Sequence, residues 1–222
     1  IIGGVEFSGD WYQVWRANVY SRTATRILVR LGEFPAVHLS QLDKKARRFP
    51  WQEHLKAQHP VRVEVVSRKS KIYHARAAAE RIENAIVYSV GNRISQDADI
   101  CIKVRIEKNF VKISIDSTGE GLHKRGYKSS TGKAPMRETL AAAFLRMCKF
   151  DPSQPLIDPM CGSGTFVIEA AEIAVGQAPG KRRVFSFQKF KSFDSRAFEM
   201  LFLDKKKITK AELYLLGYDR DN

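Results

Sequence analysis

Hydrophobic positions recur with two different periods along this chain, and the alternation between them lays out its elements. Trp11, Val14, Trp15, Val19 and Tyr20 fall three or four residues apart, which predicts a helix over 11–24, and Gly9-Asp10 supplies a cap before it. Ser40 to Phe49 reads as a second helix, charged along one side. A third runs from His74 to Val90 with Ala78, Ile82, Ala85 and Ile86 facing inward. Between these the period drops to two. Val61, Val63 and Val65 alternate with Arg62 and Glu64, the mark of a half-buried strand. Ile100 to Ile106 alternates again with Lys103 and Arg105 outward, and Phe110 to Ile115 is its hairpin partner across Glu107-Lys-Asn109. Ile27 to Leu31 is strand-like and, with Val5-Glu-Phe7, reads as the tail of a small α+β unit.

The second half has a different character. Pro135 opens a helix at the position where a missing N–H costs nothing, and Thr139, Ala141, Ala142 and Ala143 keep one face of it narrow. Leu156 and Ile157 end a short apolar strand, which Asp158 and Pro159 close. Cys161, Gly162, Ser163 and Gly164 form a turn with almost no side chain, and Phe166, Val167, Ile168, Ala170 and Ala171 continue as an apolar helix. A strand, a glycine turn and a helix N-terminus let a ligand approach bare backbone and N–H donors. No Lys follows the last glycine, so the triphosphate-binding arrangement is excluded, and the missing third glycine departs from the dinucleotide fingerprint. Asp158 at the strand end suits a ligand with a positive centre, such as an amino group or a sulfonium. Ala211 to Tyr218 reads as another apolar strand, followed by the acidic turn Asp219-Arg-Asp-Asn222.

Charge narrows the partners. The 222 residues carry a net charge of +14, which favours a polyanion. The basic residues gather in Lys44-Lys-Ala-Arg-Arg48, Arg68-Lys-Ser-Lys71, Lys124-Arg-Gly-Tyr-Lys128 and Lys205-Lys-Lys207. A charged run is often only a solvated face, but together these runs favour contact with an RNA backbone. Tyr73 and Tyr127 beside them suit stacking on unpaired bases or packing half-buried. No apolar run is long enough to span a membrane. The three cysteines form neither a metal spacing nor a disulfide framework, which points to a reducing compartment, the cytoplasm. The five histidines are dispersed without acidic partners, and Cys161 reads as a small turn residue, not a nucleophile.

Asp158-Pro-Met-Cys-Gly-Ser-Gly-Thr165, with Glu169-Ala-Ala after it, resembles the first S-adenosylmethionine motif of class I methyltransferases. Gly121-Leu-His-Lys-Arg-Gly-Tyr127 and Ala134-Pro-Met-Arg-Glu-Thr-Leu-Ala-Ala-Ala143 resemble two further segments of one subgroup, the THUMP-domain RNA methyltransferases. Within it the chain is similar to the bacterial enzymes that act on guanine N2 of large-subunit ribosomal RNA. The resemblance implies an α/β chain in three parts: the end of an N-terminal ferredoxin-like unit over 1–35, a THUMP domain over 36–130, and the start of a Rossmann-like methyltransferase domain over 131–222. Lys128 to Lys133 would be the link into that domain.

The same resemblance implies S-adenosylmethionine as cofactor and RNA, ribosomal RNA foremost, as partner. It places Asp158, Pro159, Cys161, Gly162, Ser163, Gly164 and Thr165 at the cofactor. Asp219 takes the ribose hydroxyls with Asp221 beside it, and Thr139 joins the pocket wall. Lys124, Arg125, Tyr127, Lys128, Arg68, Lys69 and Lys71 are the expected RNA contacts. The relatives carry an Asn-Pro-Pro-Tyr type motif after a fourth strand, and these 222 residues contain no Asn-Pro-Pro. The catalytic residues are therefore expected beyond Asn222. Two alternatives stay open: a methyltransferase of another substrate, such as transfer RNA or DNA adenine, and a non-catalytic RNA-binding module.

Overall fold

The computed structural model describes residues 3–127, 136–203 and 213–220. Lys128, the 128–133 link, Pro135, Lys205 to Lys207 and Asp221 lie outside the described residues. The chain forms two compact units. One comprises residues 27–119 and 185–195, the other residues 1–26, 120–184 and 196–222.

The first unit is a four-stranded mixed sheet in the order β1-β4-β3-β2. Strand β2 (Val61–Arg68) runs parallel to β3 (Ile100–Glu107), and the crossover between them is helix α4 (Ala75–Val90). The helix ends on Gly91 in the left-handed conformation, the usual way to stop one. Its buried residues are Ala78, Ile82, Ala85 and Ile86, the four that the spacing selects. Strand β4 (Phe110–Asp116) pairs antiparallel with β3 through the two-residue turn Lys108-Asn109, both in the left-handed region at φ 50° and 64°. Strand β1 (Leu28–Pro35) pairs antiparallel with β4, with a register shift between Arg30 and Gly32. A Cβ on Gly32 would stand 2.8 Å from the Phe49 ring, so this close approach needs glycine. Helix α2 (Leu39–Arg47) packs against α4, and the short α3 (Trp51–His54) buries Trp51, whose indole N–H donates to the Ala46 carbonyl at 2.8 Å. Ile102, Val104, Ile106, Val111, Ile113 and Ile115 form the centre of the core.

Residues 185–195 arrive from the second half of the sequence and complete this core. Phe185, Phe187 and Phe190 are buried around a 3-10 turn at Ser186–Lys189. Phe187 N–H donates to the Ser117 carbonyl at 3.1 Å, and the Ser186 hydroxyl donates to the Asp99 carbonyl at 2.7 Å.

In the second unit, helix α1 (Trp11–Tyr20) is capped by Asp10, which accepts the Gln13 N–H at 3.0 Å, and it buries Val14, Trp15, Asn18 and Val19. Residues Val5 to Phe7, read as part of the tail of a small α+β unit, are exposed coil, and no sheet partner meets them among the described residues. Helix α5 (Glu138–Met147) begins three residues after Pro135, with Arg137 at its cap, and packs against α6 (Thr165–Ala174). Strands β5 (Leu156–Asp158) and β6 (Leu215–Gly217) pair in parallel. Helix α7 (Ser195–Met200) places Phe198 edge-on to Trp15 at 6.2 Å.

Truncating Phe187 to Ala should cost the sheet unit about 3–5 kcal/mol, the usual penalty for emptying a buried aromatic site. The readout is amide hydrogen exchange along β3 and β4; unchanged protection there would show that the sheet stands without the 185–195 segment.

Candidate functional site: the glycine turn and the helix behind it

The site is built on two parallel strand ends. Asp158 is paired in register with Gly217, so Asp219 follows two residues beyond on the neighbouring strand. The carboxyl ends of parallel strands, where the chain turns into a helix, are the usual place for a ligand in α/β sheets. Three hydrogen bonds bind the ends together: Tyr218 N–H to the Asp158 carbonyl (2.9 Å), Cys161 N–H to the Tyr218 carbonyl (2.8 Å), and Gly162 N–H to the Asp219 carboxylate (2.8 Å). Asp158 accepts the Met160 N–H at 3.1 Å, an Asx turn that reverses the chain straight after the strand.

Glycine is required at two points of this turn. Gly162 sits at φ 51°, and a Cβ there would meet nothing within 4 Å, so its backbone is bare to the outside. Gly164 caps α6 at φ 72° and donates its N–H to the Cys161 carbonyl at 2.8 Å. The first-turn N–H groups of α6 have no acceptor within the helix. Gly217 is set by packing: a Cβ would stand 3.1 Å from the Cys161 side chain and 3.2 Å from Val167. Cys161 is thus the small residue that lets the second strand approach. Thr165 is buried, and its hydroxyl lies 3.5 Å from the Met136 carbonyl, which joins the start of α6 to the approach to α5. Thr139 is buried on α5, the helix packed against α6. Pro159 is exposed, and Ser163 is half-buried within the turn.

One turn further along α6 lies the feature that sequence reasoning missed. Glu169 is fully buried and accepts from Arg22 at 2.7 Å and from Arg125 at 3.3 Å. Arg22 also donates to the carbonyls of Glu172 (3.1 Å) and Gln177. Arg125 donates to the carbonyls of Leu122 (2.7 Å) and Arg22 (2.6 Å). The expectation that Arg125 faces RNA is therefore corrected: it is 3% exposed and its guanidinium is turned into the protein by a buried acid. Tyr127 is half-buried with its hydroxyl out of solvent, and burial together with Glu169 pushes its phenol up. The signal was present in the sequence: a lone glutamate inside the apolar run Phe166 to Ala171 must find counter-charges.

The loop before Tyr127 is held by Arg183, which donates to the carbonyls of Gly121 (2.7 Å), Glu120 (2.5 Å) and Lys124. Among the described residues, Lys124 is the one predicted RNA contact of this segment that is exposed, and it is ion-paired with Glu120 at 2.6 Å. Arg68, Lys69 and Lys71 lie in the first unit and are exposed. Their turn is fixed to the β3–β4 turn by the Lys71 N–H to the Asn109 side chain (2.8 Å) and the Asn109 N–H to the Ser70 hydroxyl (3.0 Å). Tyr73 beside them is exposed, with its ring 4.1 Å from that of His74.

Glu169→Gln should destabilise the second unit by about 3–5 kcal/mol, because two arginines lose their buried counter-charge; a denaturation midpoint equal to the parent's would reject the ion-pair role. Glu172 should behave oppositely. Burial, and next the neighbouring Glu169 charge, push its carboxyl up, and one of its oxygens is buried with no hydrogen-bond partner among the described residues. A raised carboxyl costs stability as pH rises from the ordinary carboxylate range through the raised value. Glu172→Gln should therefore be more stable than the parent at neutral pH, with the gain fading in acid; a gain that is the same at both pH values would exclude charge as its cause.

Three family descriptions match successive segments of the chain: an RlmL ferredoxin-like domain over residues 2–28, a THUMP domain over 36–116, and an RMKL-like methyltransferase domain over 125–222. The ribosomal RNA large subunit methyltransferase K/L of Vibrio cholerae is 34% identical over 232 residues, covering 99% of this chain and 33% of that protein. The crystal structure of a predicted N6-adenine-specific DNA methylase from Listeria monocytogenes superposes with a TM-score of 0.85 at 32% identity, over 95% of this chain and 58% of that one. The crystal structure of SMU.472 complexed with SAH superposes with a TM-score of 0.81 at 30% identity, again over 95% and 58%. The chain thus spans from a third to little more than half the length of these relatives. With its four-stranded sheet followed by a strand, glycine turn and helix, this α/β chain carries a THUMP domain and then an RMKL-like methyltransferase domain.

Proposed function

We propose that this chain binds S-adenosylmethionine and RNA within a protein that methylates N2 of guanine in RNA, with 23S ribosomal RNA as the target. The observation that carries the cofactor assignment is the turn at residues 158–164. Its bare Gly162 backbone, the N-terminus of α6 and the carboxylates of Asp158 and Asp219 all belong to one pair of strand ends. These groups fit a zwitterionic ligand with a ribose. The helix N-terminus suits a carboxylate, Asp158 an amino group, and Asp219 the ribose hydroxyls. Thr139, on the helix packed against α6, is assigned in this reading to the pocket wall. S-adenosylmethionine supplies an already activated methyl group, so the protein's task is to hold donor and acceptor in line.

The RNA assignment is supported by the net charge of +14, the exposed Arg68, Lys69, Lys71 and Lys124, and the likeness to the ribosomal RNA methyltransferase of Vibrio cholerae. A target base must leave its stack to reach such a pocket, at a cost of about a few kcal/mol, which a basic RNA grip offsets. A transfer RNA substrate is a second form of the same reading. A DNA adenine substrate is favoured only by the likeness to the Listeria protein. Domain boundaries near 35 and 130 and a cytoplasmic location complete the proposal.

Calorimetric titration of S-adenosylmethionine should give binding that Asp158→Ala weakens by at least about tenfold, or about 1.4 kcal/mol, while RNA affinity stays unchanged. Equal loss of both would indicate misfolding and remove the assigned role. Transfer of labelled methyl groups by the full-length parent protein to 23S ribosomal RNA, transfer RNA and adenine-containing DNA, each offered separately, identifies the substrate. Label on DNA alone would overturn the RNA reading.

A further inference from the structure

Between the end of β1 and helix α2 lies a groove of about 490 Å³, lined by Pro35, Val37, Gln41, Lys44, Lys45 and Arg48. Three of these six residues are cationic and none is acidic. Basic residues at the last turn of a helix are expected for the helix dipole alone, so charge by itself does not make a site. What distinguishes this end of α2 is how its cations are deployed. Arg47 is used internally: it is ion-paired with Asp43 at 2.9 Å and lies 5.2 Å from the centre of the Tyr88 ring. Lys45 is fixed at the groove by donating to the Pro35 carbonyl at 2.7 Å. Lys44 and Arg48 are exposed, and no acid among the described residues meets them. Gln41 accepts the Val37 N–H at 2.9 Å through its amide oxygen, which orients its NH₂ as a donor. The floor between these groups is the apolar surface of Pro35 and Val37.

We propose that this groove binds one nucleotide of single-stranded RNA. Lys44 and Arg48 take the phosphate, the base lies on Pro35 and Val37, and Gln41 donates to the base edge. The volume lies within the range of pockets that hold small molecules. An apolar floor serves only a base that is out of its stack, which selects single strands over a duplex, since a duplex offers phosphates and buries its base faces. The proposal rests on the RNA-binding reading above and adds to it a site outside the expected contacts.

The test is fluorescence anisotropy of a short fluorescein-labelled oligouridine with the whole chain and three variants, each checked by circular dichroism. Lys44→Ala/Arg48→Ala should weaken binding by about tenfold and reduce the slope of log affinity against log salt by about 0.7, the change for one lost phosphate contact on a single strand. Val37→Trp fills the groove without changing charge; it should weaken binding about fivefold and leave the salt slope nearly intact. Arg76→Ala, which removes an exposed cation on α4, should stay within about twofold of the parent. Parent-like binding by Val37→Trp, or equal losses in Arg76→Ala and the double variant, would leave only a diffuse charge effect and overturn the groove. If the parent chain fails to bind any RNA, the RNA reading falls as well.

Discussion

The buried carboxylate of Glu169 is the constraint around which the second unit is organised. A charge taken wholly out of water is tolerated only when paired and hydrogen-bonded. Glu169 stands on the helix that begins at the glycine turn, four residues after Thr165, so whatever satisfies it also fixes that helix. The counter-charges come from two places remote in sequence, Arg22 after the first helix and Arg125 in the loop before the second half. Both arginines use their remaining donors on backbone carbonyls, at Glu172, Gln177, Leu122 and Arg22. One acid thereby turns three chain segments into one body, and the turn at residues 158–164 inherits its position from that body.

The turn itself is held from the opposite side. Asp219 accepts the Gly162 N–H, and Gly217 allows the strand that carries Asp219 to press against Cys161 and Val167. A bulkier residue at Gly217 would separate the strands and take Asp219 out of reach of the turn. The small side chains of this motif therefore serve two purposes. Some leave room for a ligand, as at Gly162, and others bring the two strand ends close enough to share it.

Most of the regular structure was legible because one face of each element is buried. The four inward residues of α4, the β3–β4 hairpin and the cap at Asp10 follow from periodicity and turn chemistry that act over a few residues. Val5 to Phe7 show the limit of that reasoning: three residues carry an apolar pattern yet meet no partner strand among the described residues. The aromatic segment Phe185 to Phe193 gave no periodic signal, because it is irregular backbone that fills a hole in a sheet's core. The candidate site divided along similar lines. The glycine turn was legible as a local motif, whereas the role of Arg125 depends on Glu169, forty-four residues away. A basic run in sequence does not say which of its members a buried acid will claim.

The distribution of paired and unpaired cations carries the same lesson further. On the sheet, Arg62 and Lys103 both meet Glu64, Arg105 meets Glu107, and Lys112 meets Glu33. Each of these cations is offset by its carboxylate and adds less to the long-range field. Arg68, Lys69 and Lys71 beside the β3–β4 turn, and Lys44 and Arg48 at the end of α2, meet no acid among the described residues. An exposed cation already bound to a carboxylate must give up that partner before it can take a phosphate, whereas an unpaired one releases only solvent and counterions. The affinity for a polyanion should therefore draw more on unpaired positions such as these than on cations already held by a carboxylate, and the formal excess should also raise the rate of encounter.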